Sequence, residues 1–206
     1  MNFIYLASQS PRRSQLLDQI GIPHQILVAD AAENAIVDAE ALEVALKNEA
    51  PKAYVIRVTG LKLDAAVARM KNRGLPIAPI LCADTTVCMG RTIYSKPENA
   101  ADAARMLAEL SGQTHRVLTS IEVAYGFGGK KRLQAVSASK VTFAAMSKAQ
   151  IARYVATGEP MGKAGSYAVQ GGAAAHIAHI SGSYSGIMGL PMFETAQLLR
   201  QIGMHN

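Results

Sequence analysis

The stretch "LPIAPILCADTTVCM", Leu75–Met89, has the strongest strand character in the chain. It is apolar up to Ala83, and Asp84 follows as its first charged residue. A nearly continuous apolar run predicts a strand that is buried on both faces, as in the centre of an α/β sheet. Ligands collect at the carboxyl ends of strands in such sheets, so Asp84 is a candidate metal ligand or general base. The alternative is that Asp84, beside Thr85 and Thr86, stabilises a turn through its own backbone.

Strand and helix patterns alternate along the rest of the chain, which predicts an α/β fold. Strand character is found at residues 3–8, 24–30, 115–126, 132–143, 167–170 and 176–180. Helical patterns begin at Pro11, after the candidate N-caps Asn99 and Ser147, and at Pro191. Sequence rich in Ala and Leu from Ala39 to Arg73 predicts two or three helical pieces, interrupted at Pro51 and at Gly60. Together these segments predict one domain over residues 1–206.

The composition excludes several classes of protein. Half of the 206 residues are hydrophobic and 17% are charged, which excludes a disordered chain. The net charge of +6 favours an anionic partner, but the absence of Trp leaves little for base stacking, so small phosphate compounds are favoured over nucleic acid. No apolar run approaches the roughly 20 residues of a membrane span. The cations of "MNFIYLASQSPRR" follow its apolar run, opposite to a secretory signal, which predicts a cytoplasmic protein.

The helix that begins at Pro11 has two cations in its first turn, Arg12 and Arg13. A cation at the positive end of a helix is unfavourable by about 0.3–1 kcal/mol. Helix N-termini bind anions through their free N–H groups, so Ser8, Ser10 and the two arginines form a candidate phosphate site. A bound phosphate would offset the unfavourable placement of the arginines. The alternative is that both arginines point into water.

Three further residues carry charges that suit the same chemistry. Glu33 lies in a turn of small residues after a predicted strand and could supply a second carboxylate for Mg²⁺. Lys62 and Lys96 are additional cations, although a lysine is most often a solvated surface residue. The segment "GFGGKKR" lacks the spacing of a phosphate-binding P-loop, and "GSYSG" has Tyr184 where a serine hydrolase has its nucleophile.

Several words of the sequence, in order along nearly the whole chain, resemble the Maf family of nucleoside triphosphate pyrophosphatases. The matching words are "LASQSPRRSQLL", "CADTTV", "KPENAADAARMLAELSGQTHRVLTS", "YVATGEPMGKAGSYAVQG" and "GSYSGIMGLP". The resemblance implies an α/β fold with a central mixed, curved sheet, helices around it, and a cleft between two lobes. It also implies a homodimer.

The resemblance further implies an activity and its residues. Nucleoside triphosphates would be hydrolysed between the α and β phosphates, giving the monophosphate and pyrophosphate, with Mg²⁺ or Mn²⁺. By position, the residues that match the phosphate-binding motif are Ser8, Arg12 and Arg13. Those that match the catalytic positions are Asp84, Glu33, Lys62 and Lys96, and Asp84 and Glu33 would hold the metal ion.

Within the family, S-P-R-R together with K-A-G-x-Y-x-x-Q-G resembles the branch that acts on dTTP and UTP. Thr85 and Gln170 would then lie near the pyrimidine base, where an amide can both donate and accept hydrogen bonds. Three alternatives stay open from the sequence. They are a pyrophosphatase for 7-methyl-GTP, one for ITP and XTP, and a nucleotide-binding regulator of cell division that does not catalyse.

Overall fold

The computed structural model describes residues 3–29 and 44–204, in which thirteen helices and strands follow one another. In chain order they are β1 (Ile4–Leu6), α1 (Pro11–Gln19), β2 (His24–Ile26), α2 (Pro51–Asn72), β3 (Ile80–Met89), β4 (Thr92–Tyr94), α3 (Ala100–Leu110), β5 (Thr114–Tyr125), β6 (Lys131–Phe143), α4 (Lys148–Ala156), β7 (Ile177–Ser181), α5 (Tyr184–Met188) and α6 (Met192–Gln201). Short 3₁₀ turns lie at residues 127–129, 164–166 and 172–176.

The strands form one seven-stranded sheet in the order β2-β1-β3-β5-β6-β7, and β4 pairs with β3. Strand β1 runs parallel to both β2 and β3. The pairs of β3 with β4 and β5, of β5 with β6, and of β6 with β7 are antiparallel. The predicted mixed α/β sheet is therefore confirmed, and the long strands β5 and β6 lie where the sequence indicated.

Strand β3 is shared by two short neighbours on one edge. Strand β1 pairs with it only as far as Leu81, and β4 pairs with it only from Val87 onwards. On its other edge, β5 pairs with β3 from Ile80 to Cys88. In the described part of the sheet, residues 82–86 therefore have a strand on one edge alone, and a gap opens beside them.

A strand lies within the predicted stretch Leu75–Met89, at Ile80–Met89, and the alternative in which Asp84 stabilises a turn is wrong. The strand continues through Asp84 to Met89 because β5 supplies hydrogen-bonding partners along its whole length. What ends near Asp84 is the neighbour β1, whose last residue is Leu6. Asp84 thus lies beyond the carboxyl end of a parallel strand, as ligand-binding residues in such sheets do, although its own strand goes on.

Helices cover both faces of the sheet, and the alternation of side chains along β3 decides what each face meets. Leu81 and Ala83 face a core formed with α1 and α6, which includes Leu16, Leu17, Leu198 and Leu199. Ile80 and Cys82 face α2, against Leu63, Ala66, Val67 and Met70. Asp84 lies on the same face of the sheet as Ile80 and Cys82, towards α2. Thr85 lies on the opposite face, with Leu81 and Ala83.

Helix α2 is a single helix of 22 residues, where two or three pieces were expected over 39–73. Pro51 begins the helix at a position where its missing N–H costs nothing, and residues 39–43 lie outside the described part of the chain. Gly60 does not interrupt it, because the buried side chains on either side outweigh the roughly 1 kcal/mol that a glycine costs in a helix. A Cβ on Gly60 would lie 3.4 Å from Oε2 of Glu122, so the small residue suits the close approach to β5.

Other local predictions have mixed outcomes. Asn99 accepts the Asp102 N–H at the start of α3, and Ser147 forms a capping box with Gln150 at the start of α4, as their sequences indicated. Residues 167–170 were expected as a strand, but they form a loop between two 3₁₀ turns. Within residues 3–29 and 44–204, no helix has both the length and the apolarity that crossing a membrane requires.

Candidate active site

A cleft of about 520 Å³ opens at the gap beside β3. Its walls come from the end of β1, the start of α1, helix α2, strand β4 and the loop before the second 3₁₀ turn. The cleft gathers every predicted site residue that the structure describes, namely Ser8, Ser10, Arg12, Arg13, Lys62, Asp84, Thr85, Lys96 and Gln170. Glu33 lies outside the described residues. Its predicted role as second carboxylate stays a prediction.

Asp84 and Lys62 form an ion pair at the floor of the cleft. Nζ of Lys62 donates to Oδ1 of Asp84 at 2.6 Å, and both side chains are largely buried, with 23% and 12% of their surfaces exposed. The pair joins the middle of α2 to the middle of β3. A carboxylate held by a lysine in a cleft is oriented for accepting a proton or a metal ion.

The two arginines of α1 turn away from their own helix and bind the carboxyl end of α5. Nε of Arg13 donates to the carbonyl of Gly189 at 2.8 Å, and Nε of Arg12 donates to the carbonyl of Met188 at 3.4 Å. Carbonyls at the C-terminus of a helix carry the negative end of its dipole, where a cation is favourable. The unfavourable position in α1 is thus partly offset within the protein, and the alternative that both arginines point only into water is wrong.

Serine hydroxyls complete the start of α1. Oγ of Ser8 accepts two hydrogen bonds, from Nη1 of Arg13 at 3.0 Å and from the N–H of Ser10 at 3.1 Å. Ser10 stands at the predicted N-cap position, but its hydroxyl makes no capping hydrogen bond to the helix. The N-terminus of α1 therefore faces the cleft without a side-chain cap, as a helix end that receives an anion does.

Positive charge dominates the cleft. Among its described residues the single carboxylate is Asp84, and the cations are Arg12, Arg13, Lys62, Arg69, Lys96 and Lys163. Burial and the neighbouring Arg13 lower the pKa of Arg12. Burial and the charge of Arg12 lower the pKa of Lys163. Cations that repel one another in a partly buried space are stabilised when an anion binds between them.

Two of these cations were missed by the sequence analysis. Lys163 lies inside the family word K-A-G but had been given no role there. Arg69 stands seven residues after Lys62, a spacing that places both on one face of a continuous helix. A lysine and an arginine at this spacing are also typical of a solvated helix face, so nothing in the sequence distinguished Arg69 from a surface cation.

Apolar side chains also line the cleft, together with Thr85 and Gln170, the residues predicted to lie near the base. Apolar lining residues here include Val87, Ala164, Ala168, Val169 and Ile187. Oγ1 of Thr119 donates to the carbonyl of Gly186 at 2.7 Å, so the 2.9 Å bond between Thr119 and Thr85 uses the proton of Thr85. The hydroxyl oxygen of Thr85 can therefore accept a hydrogen bond from a ligand, but the hydroxyl has no proton left to donate to one.

Thr86 is a further polar residue that the sequence analysis did not assign. It lies two residues after Asp84 on the α2 face of β3, lines the cleft, and is 2% exposed. In the part of the chain that the structure describes, its hydroxyl oxygen has no hydrogen-bond partner. A buried hydroxyl without a partner costs about 1–3 kcal/mol, so this oxygen is a locally destabilising feature of β3.

Known proteins resemble this chain over most of its length. Residues 3–202 match the Maf family, described as Maf-like protein. A dTTP/UTP pyrophosphatase from Albidiferax ferrireducens is 65% identical over 201 residues, which cover 98% of this chain and 97% of the relative. A dTTP/UTP pyrophosphatase from Polaromonas sp. is 61% identical over 203 residues, which cover 98% and 97%. Among solved structures, a HAM1 protein from Coxiella burnetii aligns with a TM-score of 0.45 and 12% identity, covering 71% of this chain and 75% of that one. By its sequence over residues 3–202, the chain belongs to the Maf family.

Proposed function

We propose that this protein hydrolyses dTTP and UTP between the α and β phosphates, releasing the monophosphate and pyrophosphate. The proposal rests on one observation: a cleft lined by cations contains, among its described residues, a single carboxylate, Asp84, which a lysine holds in position. The volume of about 520 Å³ lies in the range of small-molecule sites. Relatives at 65% and 61% identity, both named dTTP/UTP pyrophosphatase, support the same reaction.

The chemistry of Thr85 supports a base that carries N3–H. Thymine and uracil donate a hydrogen bond from N3, whereas cytosine has an acceptor at that position. Because the proton of Thr85 is committed to Thr119, its oxygen suits the donor and not the acceptor. Gln170 adds an amide whose oxygen can accept N3–H while its NH2 group donates to O4 of thymine or uracil. Cytosine presents the reverse pattern, so this discrimination depends on how the amide is held. Sites built on hydrogen bonds discriminate more sharply than apolar shape does.

Each residue of the site has a role in the proposed reaction. The oxygen of a water molecule bonds to the α phosphorus, the bond from that phosphorus to the bridging oxygen breaks, and pyrophosphate leaves with the electron pair. Asp84 accepts the proton of the attacking water. Lys62 holds the Asp84 carboxylate in position through its 2.6 Å contact. Arg12, Arg13 and Lys96 neutralise the charge of the phosphates.

The donor set of the cleft fits Mg²⁺ or Mn²⁺ that arrives with the nucleotide. Such ions take oxygen ligands and are commonly held by one or two carboxylates together with substrate phosphates. Asp84 supplies one carboxylate in the cleft, and Glu33 would supply the second. When bound, the ion would polarise the α phosphate and help to orient water.

The decisive experiment is pyrophosphate release by the purified protein with Mg²⁺ or Mn²⁺, over dTTP, UTP, CTP, ITP and 7-methyl-GTP. We expect release from dTTP and UTP, and a loss of about 100-fold or more in kcat for Asp84→Asn with nucleotide binding retained. The matched control is Asp64→Asn, which removes an exposed carboxylate of the same helix as Lys62 that pairs with Arg132. It should keep its activity.

Two results would contradict the proposal in different ways. Release only from ITP or 7-methyl-GTP would retain the reaction and overturn the assignment of the base. Tight nucleotide binding without release from any of the five compounds would overturn catalysis and favour a regulatory protein.

We also propose that the protein acts on free nucleotides in the cytoplasm, as a homodimer. The proposed nucleotide substrates support the location, and the family resemblance supports the dimer. The scarcity of aromatic residues favours a free nucleotide over a nucleic acid. Light scattering on the purified protein measures the oligomeric state, and a monomer at micromolar concentration would contradict the dimer.

A further inference from the structure

Gln170 is carried by a short loop that has no regular structure of its own. This loop, residues 167–171, lies between two 3₁₀ turns, and Gln170 in it is exposed and lines the cleft. One backbone hydrogen bond closes it locally, from the N–H of Gly171 to the carbonyl of Ala168 at 3.1 Å. An exposed side chain on a loop reads a ligand precisely only when the backbone beneath it is held still. The backbone of the Gln170 loop must therefore be held by residues that pack against it.

The hydroxyl of Tyr154 and the carboxylate of Glu159 hold this loop on the two sides of Gln170. The hydroxyl of Tyr154 donates to Oε1 of Glu159 at 2.6 Å and accepts the N–H of Ala168 at 3.3 Å. Oε2 of Glu159 accepts the N–H of Gly172 at 3.0 Å. The pair of Glu159 and Tyr154 thus binds one backbone N–H before Gln170 and one after it.

The pair is itself firmly placed. Tyr154 is 6% exposed and belongs to the core beneath α4. The N–H of Glu159 donates to Oγ1 of Thr157 at 3.2 Å, and its carbonyl accepts a hydrogen bond from Nζ of Lys163, a cation of the cleft. Burial by itself raises the pKa of Glu159, but hydrogen bonds from Tyr154 and from the backbone lower it below its usual range overall. Glu159 is therefore an ionised acceptor at neutral pH.

The glycines of the loop report how closely the carboxylate packs against it. A Cβ on Gly171 would lie 2.3 Å from Oε1 of Glu159, a distance that no Cβ tolerates. A Cβ on Gly172 would lie 3.5 Å from the Tyr154 ring and 3.7 Å from Oε2 of Glu159, which is ordinary contact. The nearest obstacle to a side chain at position 171 is thus the Glu159 carboxylate and not the backbone, whose φ of −106° suits any residue.

We propose that Glu159, together with Tyr154, is a positioning residue for base selectivity. It holds the backbone on both sides of Gln170, so it acts on the choice among nucleotides through Gln170 and not on the transfer of the phosphoryl group. This inference rests on the proposed function, in which Gln170 faces the base. In the proposed reaction the phosphate chemistry takes place at Asp84 and Lys62, which lie on β3 and α2 and not on this loop.

The test compares kcat/KM for UTP with kcat/KM for CTP in the full-length protein. Glu159→Gln, Tyr154→Phe and Gly171→Ala each disturb the hold on the loop, the last by displacing the Glu159 carboxylate. We expect the UTP preference to fall roughly tenfold in each, because a specifically placed hydrogen-bonding group loses its position. The value for CTP should change much less. Gly172→Ala is the matched control, one residue further along, and should retain the wild-type ratio.

The outcomes separate this inference from the function on which it rests. An equal loss of kcat/KM for UTP and CTP in the three variants would show that Glu159 only stabilises the fold, and would overturn the inference. An unchanged ratio in all three would overturn it as well. A wild type that prefers a purine triphosphate would overturn the pyrimidine assignment instead. The ratio between that purine nucleotide and UTP would then test Glu159 in the same variants.

Discussion

Arg13 has two roles in the structure, and Arg13→Ala is expected to reveal both. The substitution removes the hydrogen bonds from its guanidinium to the carbonyl of Gly189 at 2.8 Å and to Oγ of Ser8 at 3.0 Å. Hydrogen bonds to charged groups contribute about 1.5–3 kcal/mol each, and because Arg13 is half-buried the lower end applies, giving about 3 kcal/mol for the two. Removing a cation from the start of α1 restores about 0.3–1 kcal/mol.

The free energy of unfolding should therefore fall by about 2 kcal/mol in Arg13→Ala, which lowers Tm by roughly 4–8 °C in a chain of this size. The KM for UTP should rise about tenfold or more, because a charge-assisted contact to phosphate is lost as well. Urea unfolding measures the first effect, and steady-state pyrophosphate release measures the second.

Two further variants make the result of this substitution decisive. Arg13→Lys keeps the charge but loses the fork of donors, so its stability and KM should lie between those of wild type and Arg13→Ala. Arg153→Ala removes an exposed arginine from α4 and should change the unfolding free energy by less than about 0.5 kcal/mol. An Arg13→Ala protein with wild-type KM and an equal or higher Tm would refute both roles of this arginine, the contact to phosphate at the start of α1 and the stabilising bond to the end of α5.

Two more predictions concern stability. Gly165→Ala should lower the free energy of unfolding, measured by urea titration, by about 2–4 kcal/mol, since its φ is +70° and a Cβ would lie 2.8 Å from Val87. Gly158→Ala is the control: its φ is +74° but its surroundings are open, so the free energy of unfolding should fall by only about 1 kcal/mol. Burial lowers the pKa of His115 from 6.5 to about 4. The neutral imidazole therefore gives stability that is full above about pH 6.5 and decreases by up to about 3 kcal/mol as the pH falls to about 4. His115→Leu should flatten that part of the stability profile, and an unchanged slope would contradict the assignment.

Features that depend on neighbouring residues were predictable from the sequence. The start of α3 is an example, because Asn99 meets its partner Asp102 only three residues later. The start of α1 was found for the same reason, with Pro11 at its first position. Most of the predicted phosphate-binding residues were found from such local signals, because they stand at the start of α1.

Features that depend on distant partners were not predictable. Strand β3 continues past Asp84 because β5 pairs with it, and α2 continues past Gly60 because its buried face packs on the sheet. The acceptor of Arg13 lies 176 residues away along the chain. The contact of Glu159 with Gly172 spans 13 residues and requires a loop whose form the sequence pattern misjudged as a strand. In each case a tertiary contact, absent from any short window, decides the local structure.

The bonds from Arg12 and Arg13 to the carboxyl end of α5 have a consequence for synthesis of the protein on the ribosome. The arginines emerge 176 residues before their acceptors Met188 and Gly189, which at about 5–20 residues per second is a delay of roughly 10–35 s. Until then the phosphate-binding half of the cleft has no opposite wall. A nascent chain thus carries the conspicuous S-P-R-R word long before it carries a competent site, and the cell gains a working cleft only with the nearly complete polypeptide.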